Sequence, residues 1–344
     1  MKLRILTLFF ISVFATFFAA IAFAENNDLI PPPKHAQNRS EVAGLFENKY
    51  GFAHYLELST GIYKSDGLGT NLPKGLSTRD IARLLAPNED LNLAILVGAK
   101  AFPYRLNSYI AIVCFAKDEY EYNKYRSEIK SSEKICDKKS YERDDVVYLG
   151  LIEYDSIGYK PKLIANSLKV ETGWYFISQR QFRNWNAKFR FPDPTNNALL
   201  PNGKFKEFDF APFQISNTQS AFGLRVGMFQ GYSGGGGYYE VLALFIVNNG
   251  QIVNILAEPI YFWQDQAGDW NKDGTRQHYL YEGENILVVL PSQTDGYYDL
   301  QIKAVDSDWQ KTFSWDASLK RYLPSDHTAI LNRVLAETLN LRVD

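Results

Sequence analysis

From Asn92 onward the chain is written in short apolar runs separated by Gly, Asn, Asp and Pro. "NLAILVGAKAF" and "SYIAIVCFA" are broken at Pro103. "VVYLGLIEYD" and "YKPKLIANS" flank a turn at Ser156–Gly158. "AFGLRVGMF" and "YYEVLALFIVN" flank a glycine run, and "NNG" leads into "QIVNILAEP". "NILVVLP", "YYDLQIKAV" and "WQKTFSW" complete the series. In "YYDLQIKAV", Tyr298, Leu300, Ile302 and Ala304 alternate with Asp299, Gln301 and Lys303, the period of a half-buried strand. The Tyr, Phe, Val and Ile enrichment agrees. The pattern predicts a mainly β fold of antiparallel sheets, sandwich or propeller-like, with a few peripheral helices.

Three segments carry helical periodicity instead. "LSTRDIARLLAP" starts at a cap formed by Ser77 and Asp80 and stops at Pro87. "KDEYEYNKYRSEIKSSEKIC" places Tyr122, Tyr125 and Ile129 on one face of a charged helix. "SDHTAILNRVLAETLNLRV" gives a C-terminal helix with Ile330, Leu331, Val334, Leu335 and Leu341 on one side.

The first residues set the compartment. Lys2 and Arg4 precede an apolar run from Ile5 that ends in Ala22-Phe23-Ala24, followed by polar "ENND". That is the form of a secretory signal peptide, residues 1–24, cut before Glu25. The reading is a periplasmic or secreted protein that is not membrane-embedded once cleaved. Residues 25–40, polar with three prolines, read as a flexible tether. A β-rich region follows over 41–191, then a proline-containing linker over 192–213, then a second β-rich region over 214–344. In an exported chain the two cysteines, Cys114 and Cys136, are expected to form one disulfide. Loss of Lys2 and Arg4 takes the net charge from −2 to −4, which argues against a nucleic-acid partner.

Two loops are candidates for chemistry. Gly231-Tyr232-Ser233-Gly234-Gly235 fits G-x-S-x-G, the pattern of a hydrolase nucleophile elbow. That motif needs a helix after the serine, and Gly234–Gly237 disfavour one at about 1 kcal/mol per glycine. The spacing fits a glycine-rich hairpin better, with Gly231, Tyr232, Ser233, Tyr238 and Tyr239 as a possible contact loop. In "DWNKDG", Asp269, Asn271 and Asp273 stand at positions 1, 3 and 5 and Gly274 at position 6. This is the arrangement of a Ca2+ loop, with Thr275 offering a carbonyl and Gln277 a neutral oxygen at position 9. Leu280 stands where an EF-hand has its bidentate Glu, so the rival is a plain Asp-Gly turn.

The "DWNKDG" loop resembles those between strands of FG-GAP-type calcium-loop β proteins. The ending "YYDLQIKAVDSDWQKTFSWDASLKRYLP" resembles strand pairs of bacterial periplasmic lysozyme-inhibitor-like proteins. The resemblance covers about the last 120 residues and assigns no inhibitory residue. It implies a secreted or cell-wall partner. The sequence thus predicts an exported β-rich binding protein without catalysis. The alternatives are an inhibitor or immunity protein against a secreted cell-wall hydrolase, and a serine hydrolase using Ser233.

Overall fold

The computed structural model describes residues 32–60, 66–128, 136–138, 145–154, 160–173 and 200–325. The expected signal peptide and C-terminal helix lie outside them. Two antiparallel sheets dominate. The smaller has the order β2 (Ala94–Ala101), β3 (Ser108–Phe115), β5 (Val146–Glu153) and β6 (Lys162–Leu163), with β7 (Leu168–Lys169) also on β5. The larger runs β17 (Arg321–Pro324), β16 (Gln310–Asp316), β15 (Tyr297–Ala304), β14 (Arg276–Thr294), β13 (Gln251–Trp270), β12 (Gly235–Asn248), β11 (Phe222–Tyr232), β10 (Gly203–Asp209) and β4 (Asp137–Lys138). A short β1 (Lys34–Ala36) lies on β14. A parallel pair joins β8 (Thr172–Gly173) to β9 (Leu200–Pro201).

The sheets pack face to face. Ile110, Ile112, Leu149 and Leu151 of the small sheet share one core with Phe222, Val226, Val241 and Phe245 of the large one. The disulfide expected between Cys114 and Cys136 is present in that core. Cys114 belongs to β3 and Cys136 directly precedes β4, so the bond staples one sheet to the other. The outer face of the small sheet is covered by α1 (Thr78–Leu85). Ser77 caps it by accepting from Asp80 N, and Ile81 and Leu85 are fully buried. Helix α2 (Glu119–Glu128) follows β3 and packs Tyr122 and Tyr125 against the shared core. At its other end the large sheet curls over itself: Leu244, Ile255 and Ile260 pack on Leu300, Ile302, Phe313 and Trp315. No helix among the described residues is long and apolar enough to cross a membrane.

The described parts of two stretches expected to be loose, 32–40 and 200–213, are tied to the sheet. Within the 25–40 tether, Ala36 is buried and pairs with His278. Within the 192–213 linker, residues 200–209 form strands, and "GKFKEFD" buries Phe205 and Phe208 across a β-bulge. The prolines masked this alternation: Pro201 and Pro212 flank β10 rather than interrupt it. The apolar core also runs across the supposed boundary, because residues from both sides line it.

Candidate functional site

One further helix, αN (Lys49–Thr60), lies on the free face of the large sheet. Asn48 precedes it and its Oδ1 accepts from Tyr50 N at 2.7 Å, satisfying an amide that the helix cannot. Tyr50, His54 and Glu57 fall at i, i+4 and i+7, hence on one face. That face meets the sheet. Gly51 lets it come close: a Cβ there would collide with the Tyr261 hydroxyl and crowd Glu282.

The contact is polar. Glu240, with no exposed surface, sits at its centre on β12. Arg225 Nη1 donates to Glu240 Oε1 at 3.0 Å, and Tyr238 Oη donates to Oε2 at 2.7 Å. Tyr50 Oη lies 3.0–3.1 Å from both Glu240 oxygens and 3.1 Å from Glu207. Its single proton serves one of them at a time. Arg225 also holds Asp209 through Nε and Nη2 at 2.9 and 2.7 Å, and its guanidinium lies over the Tyr50 ring. His54 stacks on Tyr238. Its Nδ1 is 3.4 Å from Glu57, and its Nε2 stops 3.6 Å short of Glu240, beyond hydrogen-bond reach. Lys206 closes the ring on Glu57 at 3.0 Å. Further along β14, Glu282 accepts from Tyr261 at 2.8 Å and pairs with Lys34, and Glu284 accepts from Asn48 at 2.6 Å.

Burial and the neighbouring carboxylates raise the hydroxyl pKa of Tyr50, Tyr238 and Tyr261 far above its ordinary value, so all three stay protonated donors. Glu57 moves the other way. Burial raises it, but the His54 hydrogen bond and Lys206 outweigh that and hold it at about 2.

This network forms one wall of a cleft of about 490 Å³. Tyr50, Glu207, Asp209, Arg225, Tyr261, Glu284 and Asn285 supply its polar side, and Phe213, Leu242, Ile260 and Leu287 its apolar side. Glu207, Asp209 and Glu284 are its carboxylates and Arg225 its one cation. The cleft is therefore electronegative, with a place for a charged group next to a place for hydrocarbon.

The sequence-flagged residues sit elsewhere on the same sheet. Ser233 and Gly234 form a two-residue hairpin turn, with Tyr232 paired to Gly235 and Gly234 at φ +90°, in the left-handed region. A strand follows rather than a helix, and no hydrogen bond joins Ser233 to a histidine among the described residues. Gly231, Tyr232 and Ser233 are exposed, as a contact loop requires. Tyr238 and Tyr239 are buried on opposite faces of β12, Tyr238 against His54 and Tyr239 stacked on Phe262. They belong to the interior because β12 stays paired on both sides up to Gly236.

Asn271, Asp273, Thr275 and Gln277 hydrogen-bond among themselves in the β13–β14 hairpin, and Asp269 stands exposed at the end of β13 beside them. Thr275 donates from N and Oγ1 to Asp273 Oδ1 at 2.9 and 2.6 Å. Asn271 Nδ2 donates to Gln37 O and Thr275 Oγ1, and Gln277 Nε2 donates to Asn271 Oδ1. Among the described residues no group of three or more His, Cys, Asp or Glu side chains is placed to hold a metal ion.

Sequence reading missed the αN network, although a signal for it exists. Glu240 and Arg225 are the lone charges in two largely apolar strands. A buried charge needs a partner, and in the hairpin centred on Ser233-Gly234 these two become diagonal neighbours. No family model matches this chain, and neither a curated protein nor a solved structure shows significant similarity to it.

Proposed function

We propose that this chain is an exported β-rich binding protein whose cleft beneath αN takes a cationic group, an ammonium or guanidinium, presented with some hydrocarbon by a protein or cell-wall partner. The observation that carries this reading is the unequal charge of the cleft. Glu207, Asp209 and Glu284 face a half-enclosed space beside apolar side chains, with Arg225 as the only cation. A cation there is attracted by the carboxylates and can stack on Tyr50 or Tyr261, while its alkyl part covers Leu242 and Ile260. The geometry favours holding over turnover. Glu240 is enclosed by Tyr50, Tyr238 and Arg225, which leaves it no access to a substrate.

Calorimetric titration of the purified protein with n-butylamine, agmatine, n-butanol and butyrate tests the reading. Saturable binding of the two cations, weakened at least about tenfold in Glu207→Gln/Glu284→Gln, is expected, with no heat from butyrate. Equal binding of all four probes, or none at all, would remove it.

A further inference from the structure

Eight residues back along β14, from Glu284 to Arg276, the same sheet face carries a second cleft, of about 550 Å³, lined by Asn38, Arg39, Ser40, Thr275, Arg276 and His278. Its chemistry is opposite to that of the first. His278 is 5% exposed, and its Nδ1 is 2.7 Å from Asp265 Oδ1. With Asp265 accepting from Nδ1–H, the ring's other nitrogen is left for the cleft. No hydrogen bond engages Nε2 among the described residues.

Arg276 spends only Nε, donating to Gly268 O at 2.8 Å, and its guanidinium lies 5.3 Å from the centre of the Trp270 ring. Among the described residues neither Arg39 nor Arg276 has a carboxylate within ion-pair distance. Three carboxylates near the cleft are already engaged: Asp265 by His278, Asp273 by Thr275, and Glu41 by Gln37 N and Asn38. Trp270 is 70% exposed and pairs directly with Arg276 across the hairpin, so its ring lies beside a residue that lines the cleft. Two guanidinium groups with no carboxylate in ion-pair contact (Arg39 feels Asp265 at longer range and hydrogen-bonds Tyr55), a buried histidine with an open nitrogen and an exposed indole thus meet at one sheet end.

We propose that this cleft binds an oxyanion group, phosphate or carboxylate, carried on an aromatic body. Arg39 and Arg276 clamp the oxygens, His278 Nε2 adds a third donor and Trp270 stacks on the aromatic part. A ring protonated on both nitrogens keeps Asp265 through Nδ1–H and turns Nε2–H to the ligand. The site is independent of the cation-binding cleft and uses none of its residues.

The test is calorimetry with the full purified chain at fixed ionic strength, using phenyl phosphate, benzoate, inorganic phosphate and phenol as probes. Phenyl phosphate or benzoate should bind saturably and quench tryptophan fluorescence, and the stronger of the two identifies the oxyanion. Phenol should not bind, and inorganic phosphate should bind several-fold more weakly than phenyl phosphate. Arg39→Gln and Arg276→Gln should each weaken the aromatic oxyanions at least about tenfold. Trp270→Ala should bring phenyl phosphate down to the level of inorganic phosphate. Absence of saturable binding by any oxyanion overturns the proposal. So does phenol binding as well as phenyl phosphate, or unchanged affinity in an Arg39→Gln/Arg276→Gln variant whose circular dichroism matches wild type.

Discussion

Alternate residues of β12 build two interiors of different kinds. Tyr239, Val241, Ala243 and Phe245 point into the sandwich, where they meet other apolar side chains. Tyr238 and Glu240 point to αN, where hydrogen bonds, an ion pair and a ring stack hold them beside a small apolar cluster. The first side is specified by volume, and an apolar residue of similar size can replace another at little cost. The second is specified by partners, because each buried polar group left alone costs its full desolvation. A strand with this division has one face given wholly to packing and another that packs at Leu242, Leu244 and Ile246 but carries polar partners at Tyr238 and Glu240.

Mutation of each face sharpens the contrast. The largest effect is expected for Phe245→Ala, which empties a fully buried position. It should cost about 3–5 kcal/mol in urea unfolding and leave amine binding unchanged. Glu240→Ala should cost about 3 kcal/mol, because it leaves the Tyr238 hydroxyl without its acceptor, Tyr50 relying on Glu207 and Arg225 relying on Asp209. Unlike the first, it should also abolish amine binding. A loss of stability with binding intact would break the link between the network and the cleft.

Gly51→Ala comes next. On an isolated helix this change gains about 1 kcal/mol. Here the added Cβ meets Tyr261, so a loss of about 1–2 kcal/mol is expected. A gain would mean that αN does not press on the sheet.

The smallest effect concerns pH. Glu57 has its folded pKa lowered from 4.5 to about 2, so the unfolded chain binds the proton first as acid is added. Its contribution is complete above about pH 4.5 and disappears as pH falls towards 2. Glu57→Gln should therefore be less stable than wild type at pH 5, and the gap should narrow by pH 2.5. Phe245→Ala should show a constant gap over the same range.

The sheets were legible because their pattern is local. Alternation at Tyr298–Ala304, the turn residues Asn249-Gly250 and the capped helix after Ser77 each read correctly in isolation. αN was not legible. Its inward face is Tyr50, His54 and Glu57 rather than a run of leucines, so it has no apolar stripe. Its reason for being helical lies 157 to 236 residues away, in Glu207, Glu240 and Glu284. The same holds for the site. The glycine loop and the "DWNKDG" turn drew attention because their motifs are contiguous. The paired charges Arg225 and Glu240 become neighbours only once the hairpin is folded.

β13 is a strand of 20 residues. Fully extended it would run roughly 66 Å. Along that length Ala257 and Phe262 enter the sandwich core, Ile255 and Ile260 the curled end, and Tyr261 and Trp263 the αN side. It acts as a common spine for three packing environments. None of them can melt by itself without pulling at the ladder that serves the other two, so β13 couples the large sheet into a single cooperative unit.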